Sequence, residues 1–142
     1  EKMRDHKINC IYTSPILRCI QTAEFFEDGY GKELTYNITK SLGDPGLHIE
    51  DDKLAGEFFL QHTFDEMYRR FINNEPIPGV PHAKEFEHRM SEFIKKSTIN
   101  EGITIFVTHD SLIAFYDYCL HKKVYTKDNW INYLTGIVLK IE

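Results

Sequence analysis

Twice along this chain a short β-branched, apolar run stops at a polar turn and passes straight into a helical pattern. The first run is Ile8 to Thr13, followed by Ser14, Pro15 and then Ile16, Ile20 and Ala23 at helical spacing. The second is Ile103 to Val107, with Gly102 before it and Thr108-His109-Asp110 after it. Beyond that turn Leu112, Ile113, Phe115, Tyr116, Cys119 and Leu120 carry a helical pattern through Ser111 to His121. Strands that alternate with helices in this way predict an α/β fold with a mostly parallel sheet. The second run, β-branched and aromatic, reads as a strand buried on both faces.

The turns hold the residues of interest. Ser14 is placed to cap the first helix, with Pro15 at its first position and Gly29 as its stop. Arg18 then falls in the opening turn, where a cation is disfavoured by about 0.3–1 kcal/mol. An anion held jointly by the guanidinium and the free N–H groups of the helix end would reverse that cost. The plainer alternative pairs Arg18 with Glu24 or Asp28. His109 and Asp110 stand at the carboxyl end of a strand, where open α/β sheets bind ligands. Their plainer role is to cap the turn.

Composition narrows the partner. The 142 residues are 42% hydrophobic and 13% aromatic, enough for one domain spanning residues 1–142 with a real core. A net charge of −5 argues against a nucleic-acid or membrane binder, so any anion site is a local positive pocket in an acidic protein. Cys10, Cys19 and Cys119 each lie in an apolar run without metal-like spacing, as reduced core residues of a cytoplasmic protein would. No run is long and apolar enough to span a membrane. His82 and His88 point to different faces of one helix, so no metal site is expected. There is no G-x-S-x-G, no P-loop and no dinucleotide fingerprint. In the middle, Tyr36 to Leu42 reads as a strand, Gly43 to Gly46 as a turn and Ala55 to Ile72 as one helix. That helix has Phe58, Phe59, Met67 and Phe71 as its core stripe, with Tyr68, Arg69 and Arg70 on a solvated face. Asn73 to Pro81 is a loop.

The stretch Ser14-Pro15-Ile16-Leu17-Arg18-Cys19-Ile20-Gln21-Thr22-Ala23 closely resembles the S-P-x-x-R-x-x-Q-T-A motif of the histidine phosphatase superfamily, the phosphoglycerate-mutase-like group. Val107-Thr108-His109 resembles the second histidine of that family. Gly79 to Ile94 resembles the amphipathic helix ahead of it, with Val80-Pro81-His82 where Gly-Glu-Ser is usual. Leu134 to Ile141 resembles the closing strand. The resemblance implies a three-layer α/β/α domain that hydrolyses phosphomonoesters through a phosphohistidine, with no metal and no cofactor. It implies that Arg18 clamps the phosphoryl group and His109 stabilises its developing charge. The proton donor is implied to be Asp44, in the loop after the first motif, with Asp110 the alternative and Glu50 third. The substrate would be a small phosphorylated metabolite or a phosphoprotein.

In the family a first histidine, in an Arg-His-Gly motif, attacks phosphorus. No such motif occurs in the 142 residues. Arg4-Asp5-His6 is a poor stand-in and reads as a solvated helix end. The expectation is therefore an incomplete domain without its first strand, inactive as it stands. Ile11 would be left on an unpaired sheet edge, covered by another segment or by a second copy in a homo-oligomer. The rival readings are an inactive phosphate-binding or interaction module of the same fold, and a phosphomutase.

Overall fold

The computed structural model describes residues 5–99 and 101–141. Two compact units form, Glu1–Gly46 with Phe93–His109, and Leu47–Glu92 with Asp110–Glu142. Strand β1 is Ile8–Thr13, helix α1 Leu17–Tyr30 and strand β2 Tyr36–Ile38. Helices α2 (Asp52–Gln61), α3 (Phe64–Ile72) and α4 (Ala83–Ser97) follow, then strand β3 (Ile103–Val107) and helix α5 (Asp110–His121).

In the first unit β1 pairs in parallel with β2 on one side and β3 on the other, giving the order β2-β1-β3. The α/β class with a parallel sheet is the one expected. Ile11 is not on an open edge, because it pairs with Tyr36 and with Ile105. The gap beside it is filled by β3, which is in turn an edge strand among the described residues. That explains why β3 is half-buried along its whole length rather than buried on both faces.

A register irregularity between Ile8 and Cys10 opposite β3 lets Ile8 and Ile11 share one face despite their odd spacing. There they pack with Ala23 and Phe26 of α1, Leu34 and Ile105. Tyr12 faces the other way and stacks on Phe106 at 5.4 Å, with Phe93 edge-on to both rings. The sheet is thus clothed on both faces.

Local details depart from expectation for readable reasons. Helix α1 begins at Leu17 with Ile16 as an uncapped N-cap, because the Ser14 hydroxyl is engaged elsewhere. It runs past Gly29 to Gly31, whose left-handed φ of 80° lets its N–H bond Glu27 O. Strand β2 stops at Ile38, since the Thr39 side chain accepts from Ser41 N and starts a short 3₁₀ turn, Lys40–Leu42. The single helix expected over Ala55–Ile72 is two, since Thr63 accepts from Glu66 N and caps a new start. Asp5 and His6 form an exposed turn rather than a helix end, with His6 O accepting from Tyr30 OH; Arg4 lies outside the described residues. Leu134 to Ile141 forms no strand, and Leu134 and Val138 are exposed. Apolar alternation makes a strand only where a backbone ladder receives it, and no described strand pairs here.

The second unit is helical around an aromatic core. Phe71 stacks on Phe115 at 4.2 Å, and Phe86 and Tyr68 close on the same ring. Tyr68 belongs to this core, not to a solvated face, and its hydroxyl accepts from Tyr125 N. Asp117, only 2% exposed, accepts from Tyr125 OH at 2.5 Å and from His121 Nδ1 at 2.6 Å. Burial opposes its charge, but those donors outweigh burial and hold the carboxyl below its ordinary range. Cys10, Cys19 and Cys119 are free and buried. Among the described residues no helix is long and apolar enough to cross a membrane.

Two outcomes are expected. Ile11→Ala should lower unfolding free energy by about 2–5 kcal/mol, whereas Phe25→Ala, at a 75% exposed position, should change it by about 0.5 kcal/mol or less. Chemical denaturation followed by circular dichroism measures both. Because the Asp117 carboxyl is depressed, its contribution is present above the ordinary carboxylate range and lost as pH falls through the lowered value. Acid should therefore weaken the second unit, and Asp117→Asn should flatten that dependence in denaturation curves read from Trp130 emission.

Candidate phosphate site

Parallel pairing puts the strand ends at one edge: Thr13 is in register with Ile38 and with Val107. The chain leaving each strand there supplies a different part of the site. After β1 come Ser14, Arg18 and Cys19; after β2 the turn to Gly43 and Asp44; after β3 Thr108 and His109. Carboxyl edges of parallel sheets are where such folds bind ligands.

The structure brings Arg18 and His109 together. Arg18 Nη2 donates to His109 Nδ1 at 3.0 Å, and Ser14 Oγ lies 2.8 Å from His109 Nε2. Those two contacts assign the proton. A guanidinium can only donate, so Nδ1 offers its lone pair and the proton sits on Nε2, which donates to Ser14. Both ring nitrogens of His109 are thus engaged in this arrangement. Ser14 Oγ also accepts from Ile16 N at 3.3 Å, so the hydroxyl links the turn to the imidazole. This is why Ser14 does not cap α1.

Arg18 is the second residue of α1, whose first turn holds no acidic side chain and whose N-cap offers no side-chain oxygen. Cys19 N–H and Ile20 N–H already bond Ile16 O, at 2.9 and 3.2 Å, so the N–H groups of Leu17 and Arg18 are the ones left beside the guanidinium for an anion. Pairing of Arg18 with Glu24 or Asp28 does not occur among the described residues. Cys19 is packed under the imidazole, its Sγ 3.8 Å from His109 Nε2 and 3.7 Å from Thr108 O. Burial pushes its thiol up, with Ser14 and Arg18 only partly opposing, so it is a packing group and not a thiolate.

Sequence reasoning missed Gly43. A Cβ there would stand 2.3 Å from Ser14 Oγ and 2.5 Å from His109 Nε2. The backbone therefore lies directly against the pair, and Thr108 Oγ1 ties the same turn down through Leu42 O at 2.5 Å. Asp44, next in the chain, takes a left-handed φ of 58°, which Asp tolerates better than most residues. Its exposed carboxylate has Lys40 Nζ at 3.7 Å.

The other carboxylates named from the sequence lie in the second unit. Asp110 opens α5; its Oδ1 accepts from Ser111 N at 2.8 Å and its Oδ2 from Trp130 Nε1 at 2.7 Å. Glu50 is paired with Arg89 at 2.9 Å. Arg70 is paired with Glu66 at 3.3 Å. His6 precedes β1 at the amino edge of the sheet. Six strand residues, about 20 Å of chain, separate it from the carboxyl edge where His109 stands.

A strand-turn-helix arginine thus meets a histidine that ends a parallel strand, beside the start of α1. The family model for the histidine phosphatase superfamily (branch 1) matches residues 1–137, and the chain belongs to that superfamily. Its members are phosphatases and mutases. No curated protein and no solved structure matches the chain.

The tautomer is a measurable consequence. Nitrogen-15 spectra of the histidine side chains should show His109 protonated on Nε2 alone at neutral pH. Arg18→Ala should release Nδ1 and let both tautomers populate; an Nδ1–H signal in the unaltered chain would contradict the assignment.

Proposed function

We propose that the chain binds the phosphoryl group of phosphomonoesters and contributes to their hydrolysis through a phosphohistidine. The observation that carries this is the Arg18–His109 contact beside the uncapped start of α1. In this reading Arg18 and the first N–H groups of α1 hold the phosphoryl oxygens. His109 turns toward the same group and stabilises the charge that builds during transfer. No metal and no cofactor takes part. The three buried thiols fit a reducing, cytoplasmic setting. The substrate is a small phosphorylated metabolite or a phosphoprotein.

Asp44 is the favoured proton donor. Both oxygens of Asp110 are already engaged by N–H donors, Ser111 N and Trp130 Nε1. Asp44 is met only by an exposed lysine and rides on the turn whose Gly43 lies against His109. Protonation of the leaving oxygen is worth about 10²–10⁴-fold.

The attacking histidine of the family pattern is absent from the sequence, and His6 lies at the wrong sheet edge. That specific absence favours a second reading for the 142-residue chain taken alone, a phosphate-binding module without turnover. Calorimetric titration with inorganic phosphate should detect binding, and Arg18→Ala should weaken it by about ten- to a hundredfold, the scale of lost charge-assisted bonds. Phenyl phosphate should be bound but not cleaved. An Arg18→Ala variant with unchanged phosphate affinity would defeat the site, and hydrolysis lost in His109→Ala would defeat the module reading.

A further inference from the structure

The partners of the His109 ring differ in freedom. Ser14 and Cys19, 2.8 and 3.8 Å from Nε2, are buried at 0% and 4% exposure. Arg18, bonded to Nδ1, is an exposed residue with a long, rotatable side chain. The two ring bonds also differ in the proton state they permit. An imidazolium donates from both nitrogens and accepts at neither. The bond to Ser14 survives protonation of the ring, since the hydroxyl oxygen accepts from Nε2–H in either state. The bond from Arg18 does not, because two donors would then face each other. A guanidinium 3.0 Å from Nδ1 also repels a positive charge on the ring.

We infer that phosphate binding opens the Arg18–His109 bond and brings a proton to His109 Nδ1. The inference rests on the phosphate site proposed above. A phosphoryl dianion offers Arg18 a charged acceptor in place of a neutral nitrogen, and such charge-assisted bonds are about twice as strong as neutral ones. Once Arg18 turns to the anion, Nδ1 gains by taking a proton from solvent, because the nearby negative charge favours the imidazolium. Of the other titratable groups beside the ring, Cys19 has its thiol pushed up by burial and keeps its proton. Lys40 and Asp44, on the turn that holds Gly43, pair with each other at 3.7 Å. Asp110, next in the chain, is engaged by Ser111 N and Trp130 Nε1. The Arg18–His109 contact is therefore a latch, and the anion and the proton open it together. Linkage makes the effect reciprocal, so removing the proton must loosen the anion.

Phenyl phosphate is the probe, because the second proton of such esters leaves near about pH 6 and the ligand charge is constant well above that. Nitrogen-15 spectra of the saturated complex at about pH 7.5 should show His109 protonated on both nitrogens, where the ligand-free chain carries the Nε2 proton alone. The His109 signals are those missing from His109→Gln. Calorimetric affinity should fall by up to about tenfold per pH unit above that pH, the limit for one linked proton. His109→Gln, whose amide donates but does not titrate, should bind without that dependence. A saturated complex with no proton on Nδ1, an affinity that ignores pH, or an equal pH dependence in His109→Gln would each overturn the latch and leave the phosphate site standing. No detectable binding of phenyl phosphate by the unaltered chain would overturn the site itself, and the latch with it. Should His109→Gln fail to fold, the pH dependence of the unaltered chain decides alone.

Discussion

The double ladder of β1 is the constraint on which the first unit rests. Its six residues bond β2 on one side and β3 on the other, and the registers bring Thr13, Ile38 and Val107 to one line. Three chain segments distant in sequence then leave the sheet at the same edge. Arg18 and His109 are 91 positions apart, yet their contact needs no long loop or bent helix. Each stands within a few residues of a strand end. Burial of Ile11 in both ladders anchors that alignment, which makes the geometry of the site a property of the core beneath it.

Much of this was legible because it is local. The strand-to-helix steps at Thr13 and Val107 show in the change of apolar period, and Arg18 stands out as a cation where a helix end repels one. What the sequence hides is pairing. Nothing near Ile11 says that Ile105 will lie beside it, so the strand looked like an edge. The reverse error occurs at Leu134–Ile141, where an alternating pattern has no ladder to join. Gly43 carries no local signal either, since its reason is a histidine 66 positions away. The Thr63-to-Glu66 cap was readable, but a long apolar stripe concealed the break.

The two carboxylates weighed as proton donors stand in different environments. Asp110 is bonded by a backbone N–H and an indole, and helps orient Trp130 within the aromatic unit. Asp44 stands in water beside Lys40. Their distinction comes from the donors around them and not from their spacing along the chain, which is why motif matching alone left both in play.

Close packing at Gly43 divides the tolerance of this turn to change between adjacent positions. A side chain at 43 of any size would drive into the Ser14 hydroxyl and the imidazole, so that position is closed to variation. One residue later the constraint is conformational instead: the left-handed backbone at Asp44 admits Asn or Gly readily, and the side chain is exposed. The side chain at 44 can therefore be exchanged without disturbing the scaffold, whereas a mutational library spread across the turn would report on packing at one position and on backbone conformation at the next.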